Sequence, residues 1–464
     1  MHRLTNEQIG VINRAIEGYN VFITGRAGTG KSLLIRELSN QLKDIKTVRV
    51  LAPTGVAAVL INGQTYHSFT GIQTGVGDKH ALFLQASKNP KVRKQLQEQN
   101  LLLIFDEASM IAAEMFDKLD YICRNIRNQL TVPFGGIQII VFADFRQLPP
   151  IGKDNEAVKY AFESNVWPHL FYGPRGRVVQ LKQIFRQLDE TFVKTLEDLR
   201  MGVITDETRE RLLNLSKPIN VGDDNPDIEP LHLYCKRVDV EQLNTRRIDE
   251  LEGNPNTFIA EDTGAPIYVQ RSDNYFMAPK TLTLKINCQV MLLKNMLDLG
   301  LSNGSLGKVV RFEDKNPCVK FTNGLEVVIK QHKWELRTNP NERPVLTRKQ
   351  IPLMLAYATT IHKAQGITLD RAVIDLDGFF VAAQPYVALS RVRASRYVQI
   401  INFDPARLRP NPVLDEFEKN LVLYETQIQS LSLSSSPSTA PGGDNKNKEE
   451  EEEEEETSAL AGDD

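Results

Sequence analysis

Cysteine, tryptophan and long hydrophobic runs are scarce in this sequence. Its 464 residues include four cysteines and two tryptophans. The cysteines form no Cys-x-x-Cys pair, so we expect reduced thiols rather than a metal centre or a disulfide framework. No apolar run approaches the roughly 20 residues that a membrane-spanning helix needs. The opening MHRLTNEQIG has neither the apolar core of a signal peptide nor the Arg- and Ser-rich character of a transit peptide. These absences predict a soluble intracellular protein of the nucleus or cytoplasm.

The net charge of the chain combines a strongly acidic C-terminal segment with a mildly basic remainder. Residues 427–464 contain eleven acidic residues, eight of them in the run Glu449–Glu456, and two lysines. The segment carries −9, and because the whole chain carries −3, residues 1–426 carry +6. That excess permits nucleic-acid binding without requiring it. The segment is Ser-rich and poor in apolar residues, so we expect it to be disordered.

Four near-continuous apolar runs alternate with amphipathic segments in the first 150 residues. Such runs are typical of parallel strands that helices cover on both faces. The expected fold class is therefore α/β, with a doubly wound parallel sheet. The four runs are NVFITG (Asn20–Gly25), TVRVLAP (Thr47–Pro53), LLLIFDE (Leu101–Glu107) and IQIIVFAD (Ile137–Asp144).

The rest of the chain predicts a second α/β lobe with an interruption. The runs PLHLYCK, AVIDLD and YVQIINF resume the alternation. In between, short β-like runs are separated by Asn303-Gly304 and Asn323-Gly324, which favour tight hairpins. We therefore expect a small β-barrel-like insertion. The expected domains are a first lobe over 1–175, a second lobe over 176–264 and 345–426, the insertion over 265–344 and the tail over 427–464.

A phosphate-binding loop follows the first apolar run. The stretch GRAGTGKS, Gly25–Ser32, fits G-x-x-x-x-G-K-[ST] and lies between a predicted strand and a predicted helix. Its glycines let backbone N–H groups approach phosphate oxygens. Lys31 can reach the β- and γ-phosphates, and the Ser32 hydroxyl can bind Mg²⁺. The motif predicts a nucleotide but leaves the chemistry open.

An Asp-Glu pair at the end of the third apolar run indicates hydrolysis. In isolation, such a pair is usually a solvated strand end. After five apolar residues and downstream of a P-loop, however, Asp106 can hold Mg²⁺ through a water, and Glu107 can deprotonate an attacking water. A kinase would need a second pocket for a substrate hydroxyl. The pair therefore suits a motor or a switch.

Eight motifs occur in the order of the helicase motifs of superfamily 1. The block Phe116–Ile140 resembles the signature that the PIF (petite integration frequency) family of 5′-to-3′ DNA helicases carries before its third motif. The sequence is therefore identified as a member of that family over residues 1–426. One departure is Ala143, where the third motif usually begins with Gly. The motifs are LTNEQ (Leu4–Gln8), APTGVAA (Ala52–Ala58), GQTYHSF (Gly63–Phe69), FDEASM, FADFRQLPP, LKQIFRQ (Leu181–Gln187), AYATTIHKAQGITLD (Ala356–Asp370) and YVALSRVRA (Tyr386–Ala394).

The resemblance implies an architecture and a set of partners. It implies two RecA-like P-loop lobes, an SH3-like β insertion in the second lobe, and a short strand-separating wedge near residues 71–93. The implied cofactors are ATP and Mg²⁺. The implied partners are single-stranded DNA and duplex junctions, bound by a chain that is a monomer in solution and contacts no membrane.

The resemblance also assigns roles at the nucleotide. Gln8 resembles the glutamine that reads adenine, and Gln147 resembles the one that senses the γ-phosphate. Arg186 and Arg391 resemble two arginines that the second lobe presents across the cleft, where planar guanidinium groups can stabilise a phosphoryl transition state. The expected catalytic residues are Lys31, Asp106, Glu107, Gln147, Arg186 and Arg391. The expected nucleotide-binding residues are Gln8, Gly25, Arg26, Ala27, Gly28, Thr29, Gly30, Lys31, Ser32 and Gly366, with Ser32 and Asp106 at the metal.

The expected DNA-binding residues follow from the same motifs. Hydroxyl and backbone N–H groups suit phosphates, and an aromatic ring can stack on a base without reading sequence. The alternatives are that His67 only caps a loop and that Phe69 belongs to the core. Asp144 and Arg146 are expected to support the site or to face DNA. The full set is Pro53, Thr54, Gly55, His67, Ser68 and Phe69 on the first lobe, and Thr360, His362 and Lys363 on the second.

Two functions remain open at this stage. The first is an ATP-driven helicase that moves 5′ to 3′, in repair, recombination, replication or telomere maintenance. The alternative is an ATP-gated translocase or remodelling factor that does not separate strands. An inactive P-loop scaffold would lack a catalytic group, and none is missing from the sequence. The acidic tail is either a solvated end or a phosphate mimic that competes for the DNA channel.

Overall fold

The structure is a computed structural model that describes residues 4–150, 152, 158–219, 228–337 and 343–434. For residue 297 and residues 425–434 it describes the backbone alone. The acidic run Glu449–Glu456 lies outside the described residues. Among the described residues, no helix combines the length and the apolar character needed to cross a membrane.

The first lobe is built on a parallel sheet of six strands in the order β3-β2-β4-β5-β1-β6. The four predicted strands are all present, as β1, β2, β4 and β5. In chain order the elements are α1 (Asn6–Ile16), β1 (Asn20–Gly25), α2 (Lys31–Leu42), β2 (Thr47–Ala52), α3 (Gly55–Leu60), β3 (Gln64–Thr65), α4 (Tyr66–Thr70), α5 (Lys79–Lys88), α6 (Pro90–Leu96), β4 (Leu101–Phe105), α7 (Ala113–Ile126), β5 (Gln138–Ala143), α8 (Trp167–Phe171) and β6 (Gly176–Leu181).

The apolar strands of this sheet are buried on both faces. On β4, Leu103 and Phe105 enter one core cluster, while Leu102 and Ile104 enter the cluster on the opposite face. Successive side chains on a strand alternate between faces, so helices on both sides require continuous apolar runs. The sheet also extends past residue 175, the expected end of the lobe, because β6 pairs in parallel with β1.

The segment expected to form a wedge, residues 71–93, contains α5 and most of α6. Leu82, Ala86 and Val92 are buried in the first-lobe core beside residues of α7. Asp78 caps the N-terminus of α5, and Asn89 caps that of α6. The segment is therefore a helix pair packed onto the lobe.

The second lobe has a parallel sheet in the order β18-β7-β19-β20. The runs PLHLYCK, AVIDLD and YVQIINF supply β7, β19 and β20, as expected. Outside the insertion, the elements are α9 (Glu190–Met201), α10 (Asp206–Leu215), β7 (Leu231–Tyr234), α11 (Arg237–Asp249), followed after the insertion by β18 (Ala358–Thr360), β19 (Ala372–Asp375), α13 (Gln384–Leu389), β20 (Val398–Ile401) and α14 (Pro412–Ser434).

The insertion is antiparallel, as expected, but its sheets include strands that lie outside residues 265–344. β9 pairs with β16, and β17 pairs with β11, so strands on both sides of that range belong to it. Asn323-Gly324 forms the turn between β13 and β14, whereas Asn303-Gly304 lies in a long connection rather than a tight hairpin. Its elements are β8 (Asn256–Ile259), β9 (Glu261–Gly264), α12 (Pro266–Val269), β10 (Thr281–Leu284), β11 (Gln289–Leu292), β12 (Leu306–Glu313), β13 (Asn316–Phe321), β14 (Glu326–Val328), β15 (His332–Leu336), β16 (Leu346–Gln350) and β17 (Leu353–Leu355).

Helix α14 follows the last strand of the second lobe but packs on the first lobe. Leu414, Phe417 and Leu421 enter the first-lobe core, and the Phe417 ring stacks on Phe162 with centroids 3.9 Å apart. The helix continues to Ser434, so it extends into the segment 427–464 that the sequence predicts to be disordered, and residues 435–464 lie outside the described residues. Once a packed helix has formed, each added residue gains a hydrogen bond without a new nucleation cost.

Candidate nucleotide site and nucleic-acid surface

A cleft of about 1300 Å³ lies between the two lobes. The P-loop, Glu107 and Gln147 line it from the first lobe. Arg186, Gly366 and Arg391 line it from the second lobe. The structure thus brings together predicted residues that are more than 350 positions apart in the chain.

The P-loop has a backbone that only glycine adopts easily. Gly28 and Gly30 have φ angles of 83° and 84°, in the left-handed region where a side chain is strained. A Cβ on Gly28 would lie 2.8 Å from the Cβ of Arg186, and the Gly28 carbonyl accepts a hydrogen bond from the Phe185 N–H at 2.9 Å. The loop is therefore shaped both for phosphate and for contact with the segment that carries Arg186.

Lys31 lies inside the P-loop. Its Nζ donates to the carbonyls of Gly25 and Arg26 at 2.7 and 3.1 Å. Burial lowers the pKa of Lys31, and the carboxylates of Asp144, Glu107 and Asp106 oppose that effect. Because a buried cation is stabilised by nearby negative charge, Lys31 is placed to bind a phosphate.

The Asp-Glu pair is located as predicted, at the carboxyl end of β4. Asp106 is buried, and its Oδ1 accepts the Glu107 N–H at 2.9 Å. Burial, and then the charge of Glu107, raises the pKa of Asp106 to about 7. The Glu107 carboxylate lines the cleft and accepts a hydrogen bond at 3.0 Å from Nε2 of Gln365, a second-lobe residue that the sequence reading missed.

Gln147 belongs to a buried network around Asp144. Gln147 Nε2 donates to Asp144 Oδ2 at 3.1 Å, and Arg200 donates to Oδ1 at 3.1 Å. Burial would raise the pKa of Asp144, but Arg200, Lys31 and the Gln147 hydrogen bond lower it below its usual value. Asp144 is thus a supporting residue. Ala143 does not have a positive φ, so the methyl group that replaces glycine causes no backbone strain there.

Arg146 is buried beneath helix α14. Its guanidinium pairs with Asp415 at 2.7 Å and with Glu418 at 2.9 Å, both on α14. Glu418 also pairs with Arg200 at 2.6 Å. Of the two roles expected for Arg146, these contacts favour the supporting one, because the returning C-terminal helix covers it.

Two arginines of the second lobe, Arg186 and Arg391, line the cleft, and the charge of Glu107 acts on both. Within the described residues, Arg186 donates to the Ser390 carbonyl at 2.9 Å, and Arg391 donates to the Val387 carbonyl at 2.8 Å. Burial, and then repulsion from Arg391, lowers the pKa of Arg186 to about 9. Burial also lowers the pKa of Arg391. Two desolvated cations side by side form a site for an anion.

Two residues of interest lie beside Gly30 of the P-loop, where a Cβ would be 2.9 Å from Gln8 Nε2 and 3.8 Å from the Phe185 ring. Gln8 is buried, accepts the Thr5 N–H through Oε1 at 3.0 Å, and donates from Nε2 to the Thr29 carbonyl at 3.5 Å. Its role as adenine reader stays a prediction. Phe185 lines the cleft next to Arg186 and is 47% exposed. No sequence pattern distinguishes it from a core phenylalanine.

The first-lobe DNA candidates are only partly accessible. Phe69 is 0% exposed and belongs to the core, so the prediction that it stacks on a base is wrong. The Ser68 hydroxyl bonds that of Tyr268 at 3.0 Å, and a Cβ on Gly55 would lie 2.5 Å from the Asn274 carbonyl oxygen. The insertion therefore covers both residues, which the sequence could not show because Tyr268 and Asn274 are about 200 positions away.

The other DNA candidates lie at or just after the carboxyl ends of β2, β3 and β18. Pro53 and Thr54 follow β2, where the Thr54 hydroxyl caps α3 by accepting the Ala57 N–H. Burial lowers the pKa of His67 to about 4, so this imidazole is neutral at pH 7. On the second lobe, Thr360 ends β18 and is followed by His362 and the exposed Lys363. One turn therefore carries three DNA candidates together with Gln365 and Gly366 of the nucleotide cleft.

A P-loop and a carboxylate pair that face two arginines across an interlobe cleft define the two-lobed P-loop class that includes the superfamily 1 helicases. A family model described as PIF1-like helicase matches residues 3–210, and one described as DNA helicase Pif1, 2B domain, matches residues 269–312. The chain belongs to the PIF1-like helicase family.

Individual relatives agree with this assignment. An ATP-dependent DNA helicase PIF1 of Danio rerio is 38% identical over 423 residues, which are 90% of this chain and 64% of the relative. The crystal structure of the Pif1 helicase from Candida albicans superposes with a TM-score of 0.72 at 36% identity, covering 91% of this chain and all of that one. The Bacteroides Pif1 in complex with ADP-AlF3 and ssDNA has a TM-score of 0.60 at 29% identity, covering 90% and 97%. The chain spans about 64% of the length of the first curated relative.

Proposed function

We propose that this chain is an ATP-dependent DNA helicase that moves 5′ to 3′ on single-stranded DNA and unwinds duplexes. The observation that carries the proposal is the interlobe cleft, with the P-loop and Glu107 on one side and Arg186 and Arg391 on the other. The relative from Danio rerio is named as an ATP-dependent DNA helicase, and the Bacteroides Pif1 is described with ssDNA and a nucleotide analogue. The direction of movement rests on family resemblance.

The residues of the cleft support ATP hydrolysis with Mg²⁺. Among the described residues, no group of three or more His, Cys, Asp or Glu side chains could hold a metal. Mg²⁺ commonly uses one or two protein ligands and completes its shell with phosphates and waters, which fits Ser32 and Asp106. Burial, and then the charge of Glu107, raises the pKa of Asp106, and a cation bound beside this carboxyl group would favour its charged form. Bound Mg²⁺ supplies charge neutralisation at the phosphates.

The side chains of the cleft have separate roles in the proposed ATP hydrolysis. Lys31 binds the β- and γ-phosphates once they replace its carbonyl contacts. Glu107 orients and deprotonates the attacking water. Gln147 senses the γ-phosphate, and Arg186 and Arg391 stabilise the charge that develops on it.

The same arrangement converts hydrolysis into movement. A γ-phosphate between the lobes relieves the repulsion between Arg186 and Arg391 and draws the lobes together, and its loss lets them part. If Thr54 and His67 on one lobe and His362 and Lys363 on the other alternately hold the strand, each cycle advances the chain. We propose that it binds single strands and duplex junctions as a monomer.

Substitutions in the cleft test the enzymatic part of the proposal. Lys31→Ala should abolish ATP hydrolysis, because it removes the cation that the P-loop itself presents to the β- and γ-phosphates. Glu107→Gln should still bind ATP but lower kcat by about 10²–10⁴-fold, the usual contribution of a general base. Both are measured by phosphate release with saturating single-stranded DNA, beside ATP binding by calorimetry. Normal turnover in either variant would remove the assigned site.

A partial duplex with one single-stranded tail tests polarity and strand separation. Release of the annealed oligonucleotide with a 5′ tail alone is the expected result. Release with a 3′ tail alone would overturn the direction. ATPase activity that single strands stimulate, with no release from either substrate, would favour the alternative of a translocase that does not separate strands.

A further inference from the structure

Among the exposed large hydrophobic side chains of the described residues, two are aromatic, and both are phenylalanines. Phe185 is 47% exposed and lies in the nucleotide cleft, and Phe380 is 64% exposed. Exposed single aliphatic side chains are ordinary, but an exposed aromatic ring beside a binding surface offers a face for a planar ligand. Phe380 has no role among the residues derived from sequence motifs.

The backbone around Phe380 is held in place. Gln384 is 0% exposed, and its Oε1 accepts the N–H groups of Phe380 at 2.9 Å and Val381 at 3.2 Å. The preceding Phe379 is buried in the second-lobe core. The burial of Phe379 and the two hydrogen bonds to Gln384 hold the backbone of Phe380 in place. The exposed Phe380 ring therefore projects from a fixed position.

The neighbours of the ring are DNA candidates. The Phe380 ring is stacked on the His362 ring, with centroids 6.0 Å apart and planes 13° from parallel. His362 is followed by Lys363, whose ammonium can contact a phosphate. Phe380 also lines an interlobe cavity with Pro149 and Pro150 of the first lobe. The ring therefore lies where a strand held by the 360–363 turn would pass between the lobes.

We propose that Phe380 is a stacking platform for a base of single-stranded DNA on the second lobe. This inference rests on the proposed function, since it requires that the chain bind single strands. Stacking suits a translocating protein because every base has a π-face, so grip does not depend on sequence. Phe380 takes the role that the sequence assigned to Phe69, which the core encloses.

The test compares strands with and without bases. Affinity of the full chain is measured by fluorescence anisotropy for an oligo-dT and for an abasic sugar-phosphate oligomer of equal length. Wild type should prefer oligo-dT. Phe380→Ala should weaken oligo-dT binding about tenfold, the typical loss for one stacked base, and should leave abasic binding unchanged. The dependence on salt should stay the same, because the number of phosphate contacts is unchanged.

Three further variants distinguish base stacking from phosphate contact and from a general effect of mutation. Phe380→Trp should retain the preference for oligo-dT because it keeps an aromatic face. Leu213→Ala, at a side chain that is 63% exposed on α10, should bind like wild type. Lys363→Ala should weaken both ligands equally and reduce the salt dependence.

The possible failures are distinguishable. If wild-type protein binds neither oligomer, the proposed function fails. If wild type binds but Phe380→Ala keeps the full preference for oligo-dT, or if Phe380→Trp loses it, the platform is overturned while the proposed function stands.

Discussion

Glu107 has a φ angle of 48° at the end of β4. A non-glycine residue in the left-handed region costs energy that the surrounding structure must offset, and such residues cluster at functional sites. The conformation places the Glu107 carboxylate in the cleft, where Gln365 of the other lobe donates to it. The orientation of Glu107, the proposed general base, therefore depends on a residue in the same turn as the DNA candidates.

Gln365→Ala should weaken the link between DNA and hydrolysis. Loss of a hydrogen bond to a charged group lets the Glu107 carboxylate turn away from the water, so kcat with single-stranded DNA should fall about tenfold. KM for ATP should change little, because Gln365 is not a P-loop residue. The measurement is steady-state ATPase activity with and without oligo-dT.

A charged replacement at the same position provides the control. Gln365→Glu keeps the length of the side chain but sets a second carboxylate against Glu107, so it should be slower than Gln365→Ala. A Gln365→Ala variant with wild-type stimulation by DNA would show that the hydrogen bond is only structural.

At the scale of elements, α14 connects the two lobes. It leaves the second lobe after β20 and buries Phe417 among Phe22, Phe145 and Phe162 of the first. Glu418, one residue further, pairs with Arg146 of the first lobe and Arg200 of the second. The helix is thus part of the core and belongs with neither the second lobe nor the tail.

Phe417→Ala should lower the free energy of unfolding of the first lobe by about 3–5 kcal/mol, the usual loss for a large aromatic side chain removed from a core. The measurement is urea denaturation followed by tryptophan fluorescence, since Trp167 lies in the same cluster. The control is Leu423→Ala on the same helix, where the side chain is 55% exposed. It should change the free energy of unfolding by less than about 0.5 kcal/mol. Equal effects of the two variants would mean that α14 is not anchored by Phe417.

At the scale of the whole molecule, a chain of hydrogen bonds crosses from lobe to lobe. The Ala27 N–H of the P-loop donates to the Tyr386 hydroxyl at 2.9 Å, and that hydroxyl donates to Asp144 Oδ2 at 3.0 Å. Tyr386 belongs to α13 of the second lobe, and Asp144 also holds Gln147. The P-loop and Gln147, the proposed γ-phosphate sensor, are therefore linked through Asp144 and one hydroxyl of the opposite lobe.

Tyr386→Phe should weaken the contact between the two lobes. It leaves the Ala27 N–H without this partner, which typically costs about 1–3 kcal/mol for a buried group, and it removes one second-lobe contact of Asp144 while the contact with Arg200 remains. The urea midpoint and DNA-stimulated ATPase activity should both fall. Tyr121→Phe, on α7 away from the cleft, should leave both close to wild type. Unchanged stimulation in Tyr386→Phe would contradict a role for this contact in lobe coupling.

The parts of the site that sequence reasoning located correctly are those with a local cause. The P-loop and Asp106-Glu107 follow buried strands, and in an open α/β sheet the carboxyl ends of the strands meet at the ligand. Phe69 and Phe380 show the limit of that reasoning. Both are single aromatic residues near a helicase motif, and nothing in their sequence neighbourhood says that one is enclosed in the first-lobe core while the other is exposed.

The sequence by itself determined the two α/β lobes, the phosphate loop, the carboxylate pair and the family, because strand periodicity and contiguous motifs are properties of neighbouring residues. Only the tertiary structure decided that the insertion covers Gly55 and Ser68, that Gln365 and Tyr386 reach across the cleft, and that α14 returns to the first lobe. These contacts join residues that are far apart in the chain, and each depends on which surfaces remain free once the lobes have packed.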